Sequence, residues 1–286
     1  MLWRLRDREI HFPRRPLVMG IVNVNDDSFC NDGTLDPTEA LAIAARQLAE
    51  GADIIDVGAE SARTNRRAIS IDEEISRFSP FLAGWAAMVE TAAPRDGVQV
   101  WPPLLSVNTW RPEVVAAIAP HPAVHLVNDM GGLPDDGNAR ACAAAGVGLL
   151  VMHSVGEPKV PHVHQQWPDV MAAMEAFFAE KLALCERAGL PREAVILDPG
   201  IDFAKQRDDN LTVYRDLERL GIFHRPVLLP VSRKTVIGEV LNIREPSARD
   251  AGTIACIAAT VGRGAHVYRV HHVAAAWQAI KVLSAL

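Results

Sequence analysis

What most constrains this chain is an alternation: eight short runs rich in Val, Ile and Leu are separated by longer, Ala-rich stretches at helical period. The runs are PLVMGIV at 16–22, ADIIDVG at 52–58, PLLSV at 103–107, AVHLV at 123–127, GLLVM at 148–152, AVILD at 194–198, PVLLPV at 226–231 and AHVYRV at 265–270. Near-continuous apolar runs are what strands buried on both faces require, and parallel sheets covered by helices bury both faces. Eight βα pairs predict a closed (β/α)8 TIM barrel, and 286 residues suit one such barrel of about 250 residues plus extensions. An open doubly wound sheet competes, but it announces itself with G-x-G-x-x-G, whereas the first turn reads MGIVNVNDDSF. Helix starts are marked by Asp36-Pro37 and by Ser70 three residues before Glu73. No linker or low-complexity tract divides the chain, so residues 16–286 read as a single domain behind an N-terminal extension, residues 1–15.

In such a barrel the loops after the strands build the site. Here those positions hold Asn23, Glu60, Ser61, Arg63, Asn108, Asn128, Asp129, His153, Asp198, Ser232, Arg233, Lys234, Arg269 and His271. Loops are polar in any protein, which accounts for about half of such residues. The remainder converge chemically. Asn108, Asn128 and Asp198 can pair with the edge of a flat heterocycle, while Arg63, Lys234, Arg269 and His271 can meet phosphate. Some of these have ordinary structural readings: Asn128-Asp129 as a helix cap, Asp198-Pro199-Gly200 as a turn, His153 as a satisfied buried histidine. Ser232-Arg233-Lys234 is harder to explain that way, because adjacent bases behind a buried strand need an anion or a carboxylate. His271-His272 lacks the i, i+4 spacing of a zinc motif.

Composition narrows the partners. With 49% hydrophobic residues, 22% charged residues and a net charge of −6, the chain is an ordinary globular protein and not a dedicated nucleic-acid binder. The four cysteines show no C-x-x-C pair, and no apolar stretch is long enough for a signal peptide or a membrane span. Reduced thiols and a cytoplasmic location, with no membrane partner, are expected.

Taken in order, MGIVNVNDDSF, GADIIDVGAESAR, SVNT, VND, LVMH, LDPGIDFAK, VSRK and RVHHV resemble the dihydropteroate synthases from about Pro16 to the end of the chain. The resemblance implies a pterin-binding (β/α)8 barrel that joins 6-hydroxymethyl-7,8-dihydropterin pyrophosphate to p-aminobenzoate, releasing pyrophosphate, in folate synthesis. It implies that Asn23 meets a magnesium ion on the pyrophosphate, that Arg63, Arg269 and His271 bind its oxygens, and that Lys234 belongs with these catalytic groups. Asn108, Asn128, Asp198 and Lys234 would line the pterin slot. Phe203 and Ser232, with Phe29, Ala62 and Thr64 from the first two loops, would surround p-aminobenzoate. The family's reaction is dissociative, so electrostatic stabilisation of the leaving group carries most of the burden, and the family forms homodimers.

The departures from that pattern fall near the second substrate. The family's usual Asp is Asn108, its S-T-R-P-G is Ser61-Ala62-Arg63-Thr64-Asn65, and a proline in the first loop is Asp26. Altered loops raise the expectation of a sulfonamide-insensitive subtype, since sulfonamides occupy the p-aminobenzoate position in this family. The alternatives are a catalytically weak pterin-binding paralogue and a methyltetrahydrofolate-dependent methyltransferase-like barrel. A purely structural protein would leave the strand-end residues without a purpose.

Overall fold

The computed structural model describes residues 1–26, 32–61, 67–160 and 165–286. The chain opens with two short strands, β1 (Leu2–Leu5) and β2 (Arg8–His11), then alternates: β3 (Leu17–Asn23), α1 (Pro37–Glu50), β4 (Ile54–Gly58), α2 (Ile71–Thr91), β5 (Leu104–Asn108) and α3 (Pro112–Ile118). It continues with β6 (Val124–Asp129), α4 (Gly137–Ala145), β7 (Gly148–Met152), α5 (Val170–Arg187), β8 (Val195–Asp198) and α6 (Arg207–Arg215). It ends with β9 (Leu228–Pro230), α7 (Thr235–Leu241), α8 (Asp250–Thr260), β10 (Val267–Val270) and α9 (Val273–Leu283). Most strands begin a residue or two after the apolar run does, and the seventh unit carries two helices where one was expected.

Eight parallel strands follow the order β8-β7-β6-β5-β4-β3-β10-β9, and a parallel bridge between Leu197 and Val227 joins β8 to β9 and closes the ring. Helix starts behave as their residues dictate. Asp36 accepts from the Thr38 N–H at 2.8 Å with Pro37 at the first helical position, and Ser70 accepts from the Glu73 N–H at 3.1 Å. Glu73 does not complete a capping box; it turns to Arg77 at 2.6 Å.

Because successive strand residues face opposite sides, the barrel has two separate cores. Outward residues such as Val57, Val107, Leu149 and Leu197 pack under the helices against Phe78, Phe81 and Phe178. Inward residues Leu17, Met19, Ile54, Leu104, Leu126, Leu150, Ile196, Leu228 and Val267 fill the lower barrel. Residues 1–15, to which the sequence assigns no role, close that end. β1 and β2 pair as an antiparallel hairpin and insert Trp3, Leu5, Ile10 and Phe12 into the inner core, with Trp3 fully buried. Arg6, at the hairpin turn, donates to the carbonyls of Val124 and Ala119 at 2.8 and 2.7 Å, and Arg225 donates to the Leu2 carbonyl at 2.7 Å. With the bottom plugged, the barrel interior opens at its C-terminal mouth.

Candidate active site

The alternation that places apolar side chains low in the barrel continues upward into polar ones: Leu104 is followed on the same face by Ser106 and Asn108, Ile54 by Asp56, Leu126 by Asn128, Ile196 by Asp198, and Val267 by Arg269. At the mouth Asn108, Asn128, Asp198 and Arg269 line a cavity of about 250 Å³ together with Asn23, Glu60, Phe203, Ser232, Lys234 and His271, while Asp56 and Ser106 lie lower on the same faces. Of the sequence-assigned site residues, Asn23, Asn108, Asn128, Asp198, Phe203, Ser232, Lys234, Arg269 and His271 therefore come together. Phe29, Ala62, Arg63 and Thr64 lie outside the described residues, as do His162 and His164 of the loop after β7.

Asp56, which the sequence reading passed over inside ADIIDVG, is the hub below the cavity. Its carboxylate is fully buried and accepts from Ser106 Oγ at 2.6 Å, Arg269 Nε at 2.7 Å, Asn128 Nδ2 at 3.0 Å and Asn108 Nδ2 at 3.5 Å. A carboxylate in mid-strand is costly unless so paired, and that cost was the available signal. The consequence reaches the cavity. Both asparagines spend their N–H groups on Asp56, Asn108 also reaching the Met130 sulfur at 3.2 Å, and the Oδ1 atoms of both have no partner among the described residues. Beside them Asp198 accepts from the Gly200 N–H at 2.7 Å, and burial pushes its carboxyl up to about 6. The three form an acceptor edge, suited to a planar ligand rich in N–H donors.

The opposite wall is cationic. Lys234 donates to the Ile201 carbonyl at 2.9 Å, stands 5.2 Å from the centre of the Phe203 ring, and has its pKa lowered by burial. His271 shares a hydrogen bond with Ser232 Oγ at 2.8 Å, its backbone N–H donates to the same oxygen at 3.1 Å, and burial lowers its pKa. Asp32 bridges this wall to Asn23: its carboxylate accepts from Asn23 Nδ2 at 3.0 Å and lies 3.7 Å from His271 Nε2.

Several expectations divide. In Ser232-Arg233-Lys234 the first and last line the cavity, but Arg233 pairs with Asp250 at 2.7 and 3.0 Å, the carboxylate that consecutive bases need. Asn128 faces the cavity while Asp129 is structural, accepting from the Gly131 N–H and Asn138 Nδ2. His153 is a satisfied core histidine against Trp167 and Phe177, 2.8 Å from Lys205 Nζ and held neutral by burial at about 2. Lys205, also missed, donates to the carbonyls of Gly200 and Phe203 at 3.0 and 3.1 Å, fixing the turn that carries Asp198 and Phe203; burial lowers it to about 7.

Comparison with known proteins supplies the chemical context. Residues 19–271 match the family described as pterin binding enzyme. The dihydropteroate synthase of Escherichia coli K12 is 37% identical over 271 residues, 94% of this chain and 91% of that protein. The fold is similar to that of the Yersinia pestis dihydropteroate synthase solved with a sulfonamide drug, at a TM-score of 0.88 and 32% identity over 100% of this chain and 98% of that one. It is also similar to the Burkholderia cenocepacia dihydropteroate synthase complexed with 7,8-dihydropteroate, at a TM-score of 0.84 and 30% identity over 99% and 95% of the two chains.

Proposed function

Because the chain belongs to the pterin-binding enzyme family, and within it to the dihydropteroate synthases, we propose that its barrel mouth performs that family's reaction with the residues placed there. The enzyme condenses 6-hydroxymethyl-7,8-dihydropterin pyrophosphate with p-aminobenzoate to 7,8-dihydropteroate and pyrophosphate, a step of folate biosynthesis. The observation that carries the residue assignment is the acceptor edge. Asn108 Oδ1, Asn128 Oδ1 and the Asp198 carboxylate stand ready for the amino and ring N–H groups of the pterin, the bonds to the amide oxygens contributing about 0.5–1.5 kcal/mol each and those to the carboxylate about 1.5–3 kcal/mol.

From that slot the pterin's methylene-pyrophosphate arm reaches the cationic wall. Arg269, aimed by Asp56, and His271, aimed by Ser232, take the pyrophosphate oxygens; the anion raises the lowered pKa of His271 and favours its charged form. As the C–O bond to pyrophosphate breaks, charge grows on the leaving oxygen, and these fixed donors stabilise it without reorganisation. The amine of p-aminobenzoate, held beside Phe203 and Lys234, attacks the methylene carbon that pyrophosphate leaves, and its surplus proton passes to the departing pyrophosphate or to water.

Magnesium fits the rim. Asn23 and Asp32 offer hard oxygen ligands beside the pyrophosphate wall, and magnesium is commonly held by one or two carboxylates together with substrate phosphates. When bound it would neutralise pyrophosphate charge.

A sulfonamide-insensitive subtype is also proposed, supported by Asp26, which stands where the family has proline and lies 3.6 Å from Arg77. A homodimer is proposed from the family resemblance, to be checked by light scattering. The cytoplasm is the compartment proposed; no described helix is long and apolar enough to cross a membrane. One coupled assay tests the reaction. Dihydropteroate should form from the two substrates and fall sharply when magnesium is chelated, with a sulfonamide Ki well above the p-aminobenzoate KM. Absence of product from folded enzyme contradicts the functional reading, and comparable Ki and KM contradict the subtype.

A further inference from the structure

Outside the reaction described above, one lysine is tied up in an unusual way. Lys159 belongs to the loop after β7, far in sequence from the loop after β4, yet its side chain is nearly buried against that loop. Its ammonium donates to Glu60 Oε1 at 2.9 Å, to the Ser61 carbonyl at 3.0 Å and to the Arg67 carbonyl at 3.3 Å, so all three donors of the group are used. Those acceptors flank residues 62–66 on both sides. Glu60 completes the bracket: its Oε1 accepts from the Ile69 N–H at 3.2 Å, and its Oε2 pairs with Arg111 at 2.6 Å. Arg111 in turn pairs with Glu74 at the start of α2. Lys159 reaches this position with φ at +66°, a left-handed conformation that a residue with a side chain adopts reluctantly and that the surrounding contacts must hold.

We infer that Lys159 is a positioning residue for the second substrate: it pins both ends of the β4–α2 loop to the β7–α5 loop and so sets the wall against which p-aminobenzoate is held. Glu60 and Ser61 line the cavity directly, so moving the bracket moves the wall. The pterin slot is held separately, through Asp56 and the Lys205 turn, neither of which Lys159 touches. The inference rests on the two-substrate reading of the mouth and adds to it a residue that meets neither substrate.

The test is steady-state kinetics of Lys159→Met, with thermal unfolding measured alongside. The p-aminobenzoate KM should rise about tenfold or more, while the affinity for the pterin lacking its pyrophosphate, which depends on the separately held slot and not on the β4–α2 loop, stays within about twofold. Lys159→Arg, which keeps charge and donors, should recover most of the loss, with Lys159→Gln between the two. If Lys159→Met does not fold, the order Lys, Arg, Gln in p-aminobenzoate KM, against a flat affinity for the pterin lacking its pyrophosphate, serves as the same test. An unchanged p-aminobenzoate KM, or a rise matched by an equal loss of affinity for the pterin lacking its pyrophosphate in step with lost thermal stability, would overturn the inference and leave the reaction assignment standing. Wild-type enzyme that makes no dihydropteroate would overturn both.

Discussion

The two ends of the barrel are built from the same strands and the same inward-facing positions, yet they are filled on opposite terms. At the bottom, Leu17, Ile54, Leu104, Ile196 and Val267 pack on a plug of Trp3, Leu5, Ile10 and Phe12. Two residues higher, the same faces carry Asp56 and Ser106 beneath, and Asp198 and Arg269 beside, a cavity in which the Asn108 and Asn128 oxygens have no partner among the described residues. The lower end is optimised for folding and the upper end for a ligand. Burial that stabilises the first destabilises the second, which is the ordinary trade-off between stability and function.

The largest expected effect is at the plug. Trp3→Ala should lower unfolding free energy by about 3–5 kcal/mol in denaturant titration, the range for emptying a large aromatic site. The kcat/KM of the folded fraction should not change. A variant as stable as wild type would break the comparison, because the plug would then be dispensable.

Asp198→Asn should act in the other direction. Burial raises this carboxyl to about 6, so the fold favours its protonated form: the destabilisation is absent below about pH 4, grows as pH rises toward 6 and is complete above it. At pH 7 the variant should therefore be more stable than wild type by roughly 2–3 kcal/mol. Thermal melts across pH check this, since the difference should close as pH falls from 7 to 4. A variant less stable at pH 7 would mean that the neighbouring Lys234 and Arg269 need the charge more than burial opposes it.

A smaller effect sharpens the same point. Pterin binding that uses the ionised Asp198 should weaken by about tenfold per pH unit once pH falls below 6. Affinity independent of pH down to 4 would remove Asp198 from the acceptor edge.

The contrast also explains what could be read from the sequence. Strand order, barrel closure and the cavity-lining positions Asn23, Asn108, Asn128, Asp198, Ser232, Lys234, Arg269 and His271 were legible because apolar period and strand-end position are local properties. Asp56 was not, because a polar residue inside an apolar run reveals its purpose only through partners on other strands. Lys159 and Lys205 were missed for the same reason: Glu60 is 99 residues from the first and His153 is 52 from the second. Trp3 sits in a segment with mixed charge and no helical period, and only the closed ring shows what it fills. Arg233 misled because its carboxylate, Asp250, lies 17 residues away on the next helix but one.

Whether the upper inward positions form a pterin-reading edge is decided by calorimetric titration of the pterin lacking its pyrophosphate into wild type and Asp198→Asn at pH 7. Wild type should bind, and the variant should bind with an affinity lower by on the order of a hundredfold, in protein whose melting temperature is higher. Equal affinity in the two proteins would contradict such an edge.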